Sequence, residues 1–281
     1  MSVSVLTIVK NRSEHLAQLV EGLRRSDELP DELIIADMGS DPAVIAPDAP
    51  FPVRIVRVGG GGLPLAAARN AAAREAIGDH LLFLDVDCIP MRGLVAEMAG
   101  QLRRDGAVIC AEVFYLGPTD ARESWIEENL KLSATPHPVR TFPARGVREE
   151  VNAGLFWSLV FGIGRTRFHD LGGFDEGYTG YGAEDTDFGF RARQAGVPLL
   201  FMGGPGAFHQ HHEVLDPPLQ HVEDIVRNAQ RFYDRWNVWP MEGWLHAFSK
   251  LGIIEWSEQR ARLLRLPDAL QLRQASRQSA F

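Results

Sequence analysis

Two carboxylates that directly follow a run of apolar residues are the first chemically informative feature of the sequence. Residues 81–87 read LLFLDVD, so Asp85 and Asp87 flank Val86. Alternate side chains of an extended strand point to the same side, and two carboxylates on one side can share a hard divalent cation or a cation-bound diphosphate. Two like charges are costly to hold together without a compensating cation. A metal site and an exposed polar turn both remain open at this point.

Three histidines and a glutamate lie together in residues 208–213, which read FHQHHE. His209 and His211 would share one face of a strand, whereas His209 and His212 would share one face of a helical turn. In either conformation the segment can offer one or two imidazoles to a metal ion. A solvated turn is the alternative.

A third group of charged residues stands where glycines lead into a predicted helix, in residues 180–191, which read GYGAEDTDFGFR. Glu184, Asp185 and Asp187 fall in the first helical turn, where the positive end of the helix dipole favours carboxylates. Capping, together with an Asp187 to Arg191 pair, is one interpretation. A general base is the other, because a carboxylate held ionised can accept a proton.

The elements that would position these residues alternate between short apolar runs and helical patterns. This alternation is typical of βαβ units and predicts an α/β fold with a parallel sheet. Polar residues then collect at the carboxyl edge of the sheet, where open α/β folds bind ligands. The predicted strands cover residues 3–9, 33–36, 53–58, 80–84 and 107–114, and the predicted helices cover 16–23, 65–77 and 93–103.

The second half of the chain gives weaker patterns. Residues 135–150 are rich in proline and arginine and predict a mobile loop or lid, with a solvated connection as the alternative. Residues 151–161 predict a buried strand, residues 184–195 a helix, and the regions near Leu199 and Ala207 two short strands. After Pro217 and Pro218 the pattern is helical and rich in aromatic residues, which favours packing on the parent domain or a dimer face over a membrane surface.

Composition narrows the class of protein. The chain has 281 residues, 45% of them hydrophobic, and a net charge of -8. Enough apolar residues for a folded core are therefore present, and the negative charge argues against a nucleic-acid binder. The two cysteines do not form a pattern typical of disulfide-bonded proteins. The N-terminal residues do not resemble a signal peptide, so we expect a cytoplasmic location. We expect no transmembrane segment, so membrane contact would be peripheral.

Four ordered segments together resemble the inverting family 2 glycosyltransferases of the GT-A fold. Most similar is the β1,4-galactosyltransferase and N-acetylhexosaminyltransferase type of branch. The resemblance runs from residue 3 to about residue 213. The segments are TIVKNR (7–12), IIADMGSDP (34–42), AAARNAAAREAIGDHLLFLDVDCIP (66–90) and LGGFDEGYTGYGAEDTDFGFRARQAG (171–196).

The resemblance implies a Rossmann-like GT-A domain with a mostly parallel central sheet flanked by helices over residues 1–215. Residues 1–115 would be the nucleotide-binding half and residues 116–215 the acceptor and catalytic half. Residues 216–281 lie outside the resemblance and would form a helical C-terminal extension.

The resemblance also assigns a donor site for a nucleoside diphosphate sugar, most simply a UDP-sugar. Asp37 would accept a hydrogen bond from the uracil N3–H, although Met38 stands where the family usually has a second acid. Arg69, on the AAARN helix, could reach the diphosphate or be a surface cation. Lining the nucleotide would be Thr7, Asn11, Arg12, Asp37, Arg69, Asp85, Val86 and Asp87.

The same resemblance places the metal and the chemistry. Asp87 and His209 would bind Mn²⁺ or Mg²⁺, with His212 taken as the third ligand and His211 as its competitor. Asp185 would be the catalytic base and Glu184 would bind donor or acceptor hydroxyls. Tyr181 would give a sugar ring an aromatic platform.

The sequence thus predicts an inverting, metal-dependent hexosyltransferase with a glycan, a lipid-linked saccharide or a small molecule as acceptor, and it leaves a homodimer open. Two other classes stay open. One is a metal-dependent hydrolase or metal-binding module built on the segment from His209 to His212. The other is a nucleotidyltransferase-like enzyme, since a strand-end DxD also serves phosphate transfer.

Overall fold

The computed structural model describes residues 2–59, 61–104 and 106–277. Its strands and helices alternate through the first half, as the apolar pattern predicts. The strands are β1 (Val3–Val9), β2 (Glu32–Asp37), β3 (Val53–Arg57), β4 (His80–Leu84), β5 (Cys88–Pro90), β6 (Val108–Tyr115), β7 (Thr135–Pro136), β8 (Gly146–Glu149), β9 (Val160–Gly164), β10 (Leu199–His209), β11 (Val214–Leu215), β12 (Ile254–Trp256), β13 (Ala261–Leu263) and β14 (Ser276–Arg277). The helices are α1 (Ser13–Arg24), α2 (Leu65–Glu75), α3 (Leu94–Leu102), α4 (Glu127–Ser133), α5 (Arg165–Asp170), α6 (Glu184–Gln194), α7 (Val222–Trp236), α8 (Glu242–Lys250) and α9 (Ala269–Ala275).

A 10-stranded sheet forms the centre of the molecule, in the order β3-β2-β1-β4-β9-β6-β10-β5, with β7 paired to β6 and β8 to β10. The strands β1, β2, β3 and β4 run parallel, and β6 and β10 run parallel to each other. The strand β9 lies antiparallel between β4 and β6. The mixed α/β fold with a mostly parallel sheet is therefore confirmed.

Helices cover both faces of this sheet. Successive side chains of a strand point to opposite faces, and because the central strands carry apolar side chains on both faces, each face needs a covering layer. On one face, Val5 and Val9 of β1 join a core with Leu19 of α1 and Val95 of α3. On the other face, Leu6 joins a core that contains four alanines of α2, Phe168 of α5 and Phe188 of α6. The small alanine side chains let α2 lie close to the sheet, which brings its polar residues toward the strand ends.

The DxD segment does not continue the strand as predicted. The strand β4 ends at Leu84, and Asp85, Val86 and Asp87 form a turn closed by a 2.9 Å bond from the Cys88 N–H to the Asp85 carbonyl oxygen. The chain then re-enters the sheet as β5, antiparallel to β10. The turn, and not strand alternation, sets the directions of the two carboxylates.

Other predicted elements also need correction. The segment 135–150, predicted as a loop, pairs with the sheet at its two ends, where β7 bonds to β6 and β8 bonds to β10. Residues 137–145 between these strands have no helix or strand. The strand predicted at 151–161 is shifted to β9, after a short 3-10 turn at Ala153–Leu155. The two short strands predicted near Leu199 and Ala207 are one strand, β10, whose pairing with β6 shifts between Met202 and Ala207.

The C-terminal part is not helical throughout. It contains α7, α8 and α9, but β12 and β13 form a hairpin and β14 pairs with β11. Ile225 of α7, Phe248 of α8 and Ile254 of β12 are buried in one apolar cluster, against which Tyr181 and Trp244 pack. Residues 278–281 of the predicted extension lie outside the described residues. Within the described residues, no helix is long and apolar enough to cross a membrane.

Candidate active site

Two parts of the chain meet at the end of β10 to form a group of three metal-ligand side chains. His209 Nε2 lies 3.5 Å from Asp87 Oδ1, and His212 Nε2 lies 3.3 Å from Asp87 Oδ2. One ligand atom from each of the three residues fits within 4.8 Å of the others. The pairing of His209 with Cys88, and a 2.7 Å bond from the Gln210 N–H to the Asp87 carbonyl oxygen, hold the two segments together.

The electrostatics of this triad suit a cation. The two histidines beside it hold the pKa of Asp87 below its usual range despite burial, so the carboxylate stays ionised. Burial lowers the pKa of His209 against the raising effect of Asp87, and a neutral imidazole can offer a nitrogen lone pair to a metal ion. The Tyr115 ring stacks on His209 with ring centroids 4.8 Å apart. Of the two histidines considered as the third ligand, it is His212 whose ring lies next to Asp87. The backbone carbonyl oxygen of His211 accepts a bond from Arg122.

Arg69 connects the DxD turn to the start of α6. Its guanidinium lies 3.3 Å from Asp85 Oδ1 and 2.9 Å from Glu184 Oε1. The Arg69 side chain is only 5% exposed, so the surface-cation interpretation is wrong. Burial, with Asp87 and Glu184 nearby, raises the pKa of Asp85 to about 7 against the opposing effect of Arg69.

Glu184 and Asp185 begin α6 beside this arginine. Burial raises the pKa of both carboxyl groups. The Asp185 charge raises the pKa of Glu184 further, and Arg69 opposes the rise in both residues. Asp185 Oδ1 accepts a 2.6 Å bond from the Thr186 N–H. Glu184 Oε2 is buried and has no hydrogen-bond partner among the described residues. A basic carboxylate and a buried acceptor atom are therefore adjacent.

Asp187, one turn further along α6, has a structural role. The predicted Asp187 to Arg191 pair is present at 2.7 Å. The same carboxylate, fully buried, also accepts bonds from Arg235 at 3.2 Å and from the Trp236 indole N–H at 2.9 Å. Asp187 thus joins α6 to α7.

Tyr181 lies on the loop that leads into α6. Its ring stacks on His221 with centroids 4.5 Å apart and lies 6.2 Å from Trp244. The carboxylates of Glu184 and Asp185 act with burial to raise the pKa of its hydroxyl. The ring is therefore held by residues of the C-terminal part of the chain.

The predicted nucleotide-binding residues lie at the ends of β1 and β2. Asn11 Oδ1 accepts a 2.8 Å bond from the Asp41 N–H, which ties the two strand ends together. Asp37 is buried and accepts bonds from the Ser40 and Val44 N–H groups and from Arg57. The Asp37 carboxylate therefore already orders its own loop.

Two further predicted residues flank this edge. Thr7 is 1% exposed in β1, and its hydroxyl has no partner among the described residues. Arg12, before α1, contributes a positive charge that lowers the pKa of both Asp87 and His209. The charge of Arg12, which follows β1 in the sequence, thus acts on the triad.

Two residues near the triad escaped sequence reasoning. His15 lies on the first turn of α1, and its ring centroid is 6.3 Å from that of His212. Tyr115 ends β6 opposite His209. Neither stands in a motif, so only the pairing of β6 with β10 and the packing of α1 reveal them. Two cavities, of about 640 and 780 Å³, lie elsewhere and include neither Asp87 nor Asp185 among their lining residues.

The α/β sheet carries acidic and histidine side chains at the carboxyl ends of its strands, and solved structures with this fold include glycosyltransferases of the GT-A fold. The sequence profile described as "Glycosyl transferase family 2" matches residues 4–167. The chain belongs to that family. A second profile, "N-terminal domain of galactosyltransferase", matches residues 141–213, which include the start of α6 and the histidine segment.

Curated relatives agree with this family. An uncharacterized glycosyltransferase of Bacillus subtilis, YfnE, is 24% identical over 84% of this chain and 71% of its own length. Hyaluronan synthase of Pasteurella multocida is 25% identical over 75% of this chain. The chain spans only 24% of the length of that synthase.

Solved structures show the same fold. S. aureus TarS 1-349 in complex with UDP-GlcNAc matches with a TM-score of 0.57 at 14% identity, covering 90% of this chain and 72% of TarS. GalNAc-T7 with UDP, GalNAc and Mn²⁺ matches with a TM-score of 0.55 at 16% identity, covering 75% of this chain and 43% of GalNAc-T7.

Proposed function

We propose that this glycosyltransferase is inverting and depends on a divalent cation, and that it transfers a sugar from a UDP-sugar to an acceptor hydroxyl. The observation that carries the proposal is the meeting of two groups at one sheet edge. Asp87, His209 and His212 form the first, and Glu184 with Asp185 forms the second. Arg69 contacts Glu184 of the second group and Asp85, which lies in the same turn as Asp87 of the first group.

The triad fits a divalent cation. One ionised carboxylate and two imidazole nitrogens lie close enough to bind one ion, and this mixed donor set suits Mn²⁺ better than Mg²⁺, which prefers oxygen ligands. When bound, the cation would neutralise charge on the departing diphosphate. Mn²⁺ is present with UDP in the GalNAc-T7 structure, which supports the same choice here.

The donor would lie along the ends of β1, β2 and β4. The base pocket would be lined by Thr7, Asn11, Arg12 and Asp37. The Asp37 carboxylate, in addition to the bonds it accepts within its own loop, would accept one from the uracil N3–H. Asp85 would face the ribose. Arg69 would add positive charge next to the diphosphate.

Asp185 would act as the general base. Its carboxylate would take the proton of the acceptor hydroxyl while that oxygen forms a bond to the anomeric carbon of the donor sugar. The bond from that carbon to the diphosphate oxygen breaks on the opposite side, and its electron pair leaves with UDP. One displacement inverts the anomeric configuration. Glu184 Oε2, buried and unpartnered, would accept a hydrogen bond from a sugar hydroxyl, and Tyr181 would contact a sugar ring.

Calorimetric titration of UDP and GDP, with and without Mn²⁺, tests the donor site. We expect UDP to bind in the presence of Mn²⁺, and Asp87→Ala to abolish that binding because one ligand and its charge are lost. Asp170→Ala, at the exposed end of α5, is the control. Tight binding of Mn²⁺ or Zn²⁺ without any nucleotide binding would favour a histidine-cluster metal protein instead.

Turnover separates the remaining classes. Asp185→Asn keeps the shape of the side chain but cannot take a proton, so we expect UDP binding to persist while UDP release from UDP-hexoses falls by at least about 100-fold. Release of inorganic pyrophosphate from nucleoside triphosphates, with no release of UDP, would point to a nucleotidyltransferase. Retention of the donor's anomeric configuration in the product would contradict the single displacement.

A further inference from the structure

The loop that precedes the proposed base has an unusual backbone. Gly180, Gly182 and Ala183 have φ values of 75°, 96° and 71°, in the left-handed region. Glycine adopts this region freely, but an alanine there is strained. Ala183 is the residue directly before Glu184, so outside contacts must hold the loop in this conformation.

Those contacts come from α7. The Asn228 amide nitrogen lies within hydrogen-bond distance of the carbonyl oxygens of Thr179, Tyr181 and Gly182, at 3.1, 3.3 and 2.9 Å. From the preceding turn of α7, Asp224 Oδ2 accepts a bond from the Tyr181 N–H at 3.3 Å. One face of α7 therefore binds both the donor and the acceptor groups of the loop backbone.

The loop packs on α7 without free space. Asn228 is only 1% exposed. A side chain at Gly180 would collide with the Asp224 carboxylate, and one at Gly177 would collide with Arg231. On the other side of the loop, Asp187 is joined to Arg235 and Trp236. The loop and the start of α6 are thus attached to α7 at both ends.

We propose that Asn228 is a positioning residue, which sets the location of Glu184 and Asp185 by holding the carbonyl groups of Thr179, Tyr181 and Gly182. The proposal rests on the proposed role of Asp185 as the base. It gives the C-terminal helices a function in the reaction although they contain none of the proposed catalytic or nucleotide-binding residues. A misplacement of about 1 Å can cost about 100-fold in rate, so a small loop movement is sufficient for a large effect.

Two substitutions test the proposal. Asn228→Asp keeps the shape but directs carboxylate oxygens at three carbonyl oxygens, and Asn228→Ala removes the donor altogether. Gln230→Ala is the matched control on the same helix. It removes the Gln230 bond to the Ala261 N–H at 2.8 Å and touches no residue of the loop, so it reports loss of α7 packing alone.

The readouts are UDP release from UDP-glucose, UDP-galactose and UDP-N-acetylglucosamine, UDP affinity by calorimetry, and hydrogen exchange in residues 177–187. For both Asn228 variants we expect kcat to fall about 10- to 100-fold, with donor KM and UDP affinity unchanged and faster exchange in the loop. Gln230→Ala is expected to change none of these beyond twofold. Equal losses in the Asn228 and Gln230 variants would show a general stability effect and overturn the proposal.

Asp185→Asn is measured in parallel to separate the two proposals. If Asp185→Asn is inactive while both Asn228 variants turn over normally, the positioning role alone is overturned. If Asp185→Asn releases UDP at the normal rate, the base assignment and the positioning role fail together.

Discussion

At the scale of single residues, one buried arginine is the positive partner that three carboxyl groups of the site share. Arg69 contacts Asp85 and Glu184 directly, and its charge also lowers the pKa of Asp185. Without it, several buried carboxylates would face each other with no positive partner. The site therefore depends on Arg69 before any donor binds.

We expect Arg69→Met to destabilise the fold by about 3 kcal/mol at pH 8, because removing one partner leaves the others charged and buried. Without the cation, the folded-state pKa of Glu184 rises further above its unfolded value. A carboxyl group with a raised folded-state pKa costs stability only above its unfolded pKa, so the loss should shrink at pH 5. Urea unfolding at both pH values measures this. Arg74→Met, on the same helix and 60% exposed, should have little effect, and an equal loss at both pH values would contradict the charge argument.

Asp185 gives a second prediction at this scale. The Thr186 hydroxyl lies 3.3 Å from Asp185 Oδ1 and stabilises the ionised form. Thr186→Val removes that bond at nearly constant shape, so the pKa of Asp185 should rise. The acid limb of the kcat/KM profile should then move to higher pH by roughly half a unit. Thr166→Val, at an exposed position of α5, is the control. If the acid limb does not move in Thr186→Val, it does not report the ionisation of Asp185.

Residue types and their spacing predict part of the candidate site. The DxD and FHQHHE segments indicate a metal group, but which histidine joins Asp87 depends on how the chain leaves β10 after His209. Arg69 was ambiguous because burial of a cation depends on partners that are 16 and 115 residues away in sequence. His15 and Tyr115 belong to no motif and become visible only through packing.

At the scale of elements, the strand β10 connects the segment 135–150 to the metal-ligand triad. Its first residues pair with β8, and its last residues pair with β5 and carry His209. Gly203 marks the irregular part of the strand, where an added side chain would collide with the Pro143 carbonyl oxygen. This strand therefore needs a glycine where the segment 137–145 crosses it.

Gly203→Ala tests that crossing. We expect a loss of about 2 kcal/mol in stability, because an added methyl group in a filled space forces backbone movement, together with faster hydrogen exchange in residues 143–149. Gly100→Ala in α3 meets only an ordinary contact at 3.6 Å and should be neutral. If residues 143–149 keep their protection, the close approach at Gly203 does not restrain this segment.

Elements with strong local patterns could be predicted from the sequence, and those that depend on distant pairing could not. The prediction for β1 and β4 matches their bounds, since each is an apolar run with clear ends. The strand β8 reads GVRE and has no apolar alternation, so its pairing with β10 decides its conformation. The strand β10 was predicted as two because Gly203, Gly204 and Pro205 interrupt its apolar pattern.

At the scale of the whole molecule, donor binding should stabilise the fold. A ligand that binds only the folded state adds about 2.7 kcal/mol at 100 times its Kd. We therefore expect UDP with Mn²⁺ to raise the Tm measurably, and UDP with EDTA to have no effect. Thermal unfolding of the wild-type protein and of Asp87→Ala measures this. A shift that persists in Asp87→Ala would place the nucleotide away from the triad.

The contacts between α6 and α7 have a practical consequence for building chimeric enzymes. An exchange of the C-terminal region with a relative, joined at residue 216, would separate Asp187 from Arg235 and Trp236, and the loop at residues 179–182 from Asn228. Such a hybrid would contain the loop at residues 179–182 without the α7 residues that hold it. An exchanged segment that covers residues 170–277 would instead transfer α6, its preceding loop and α7 together.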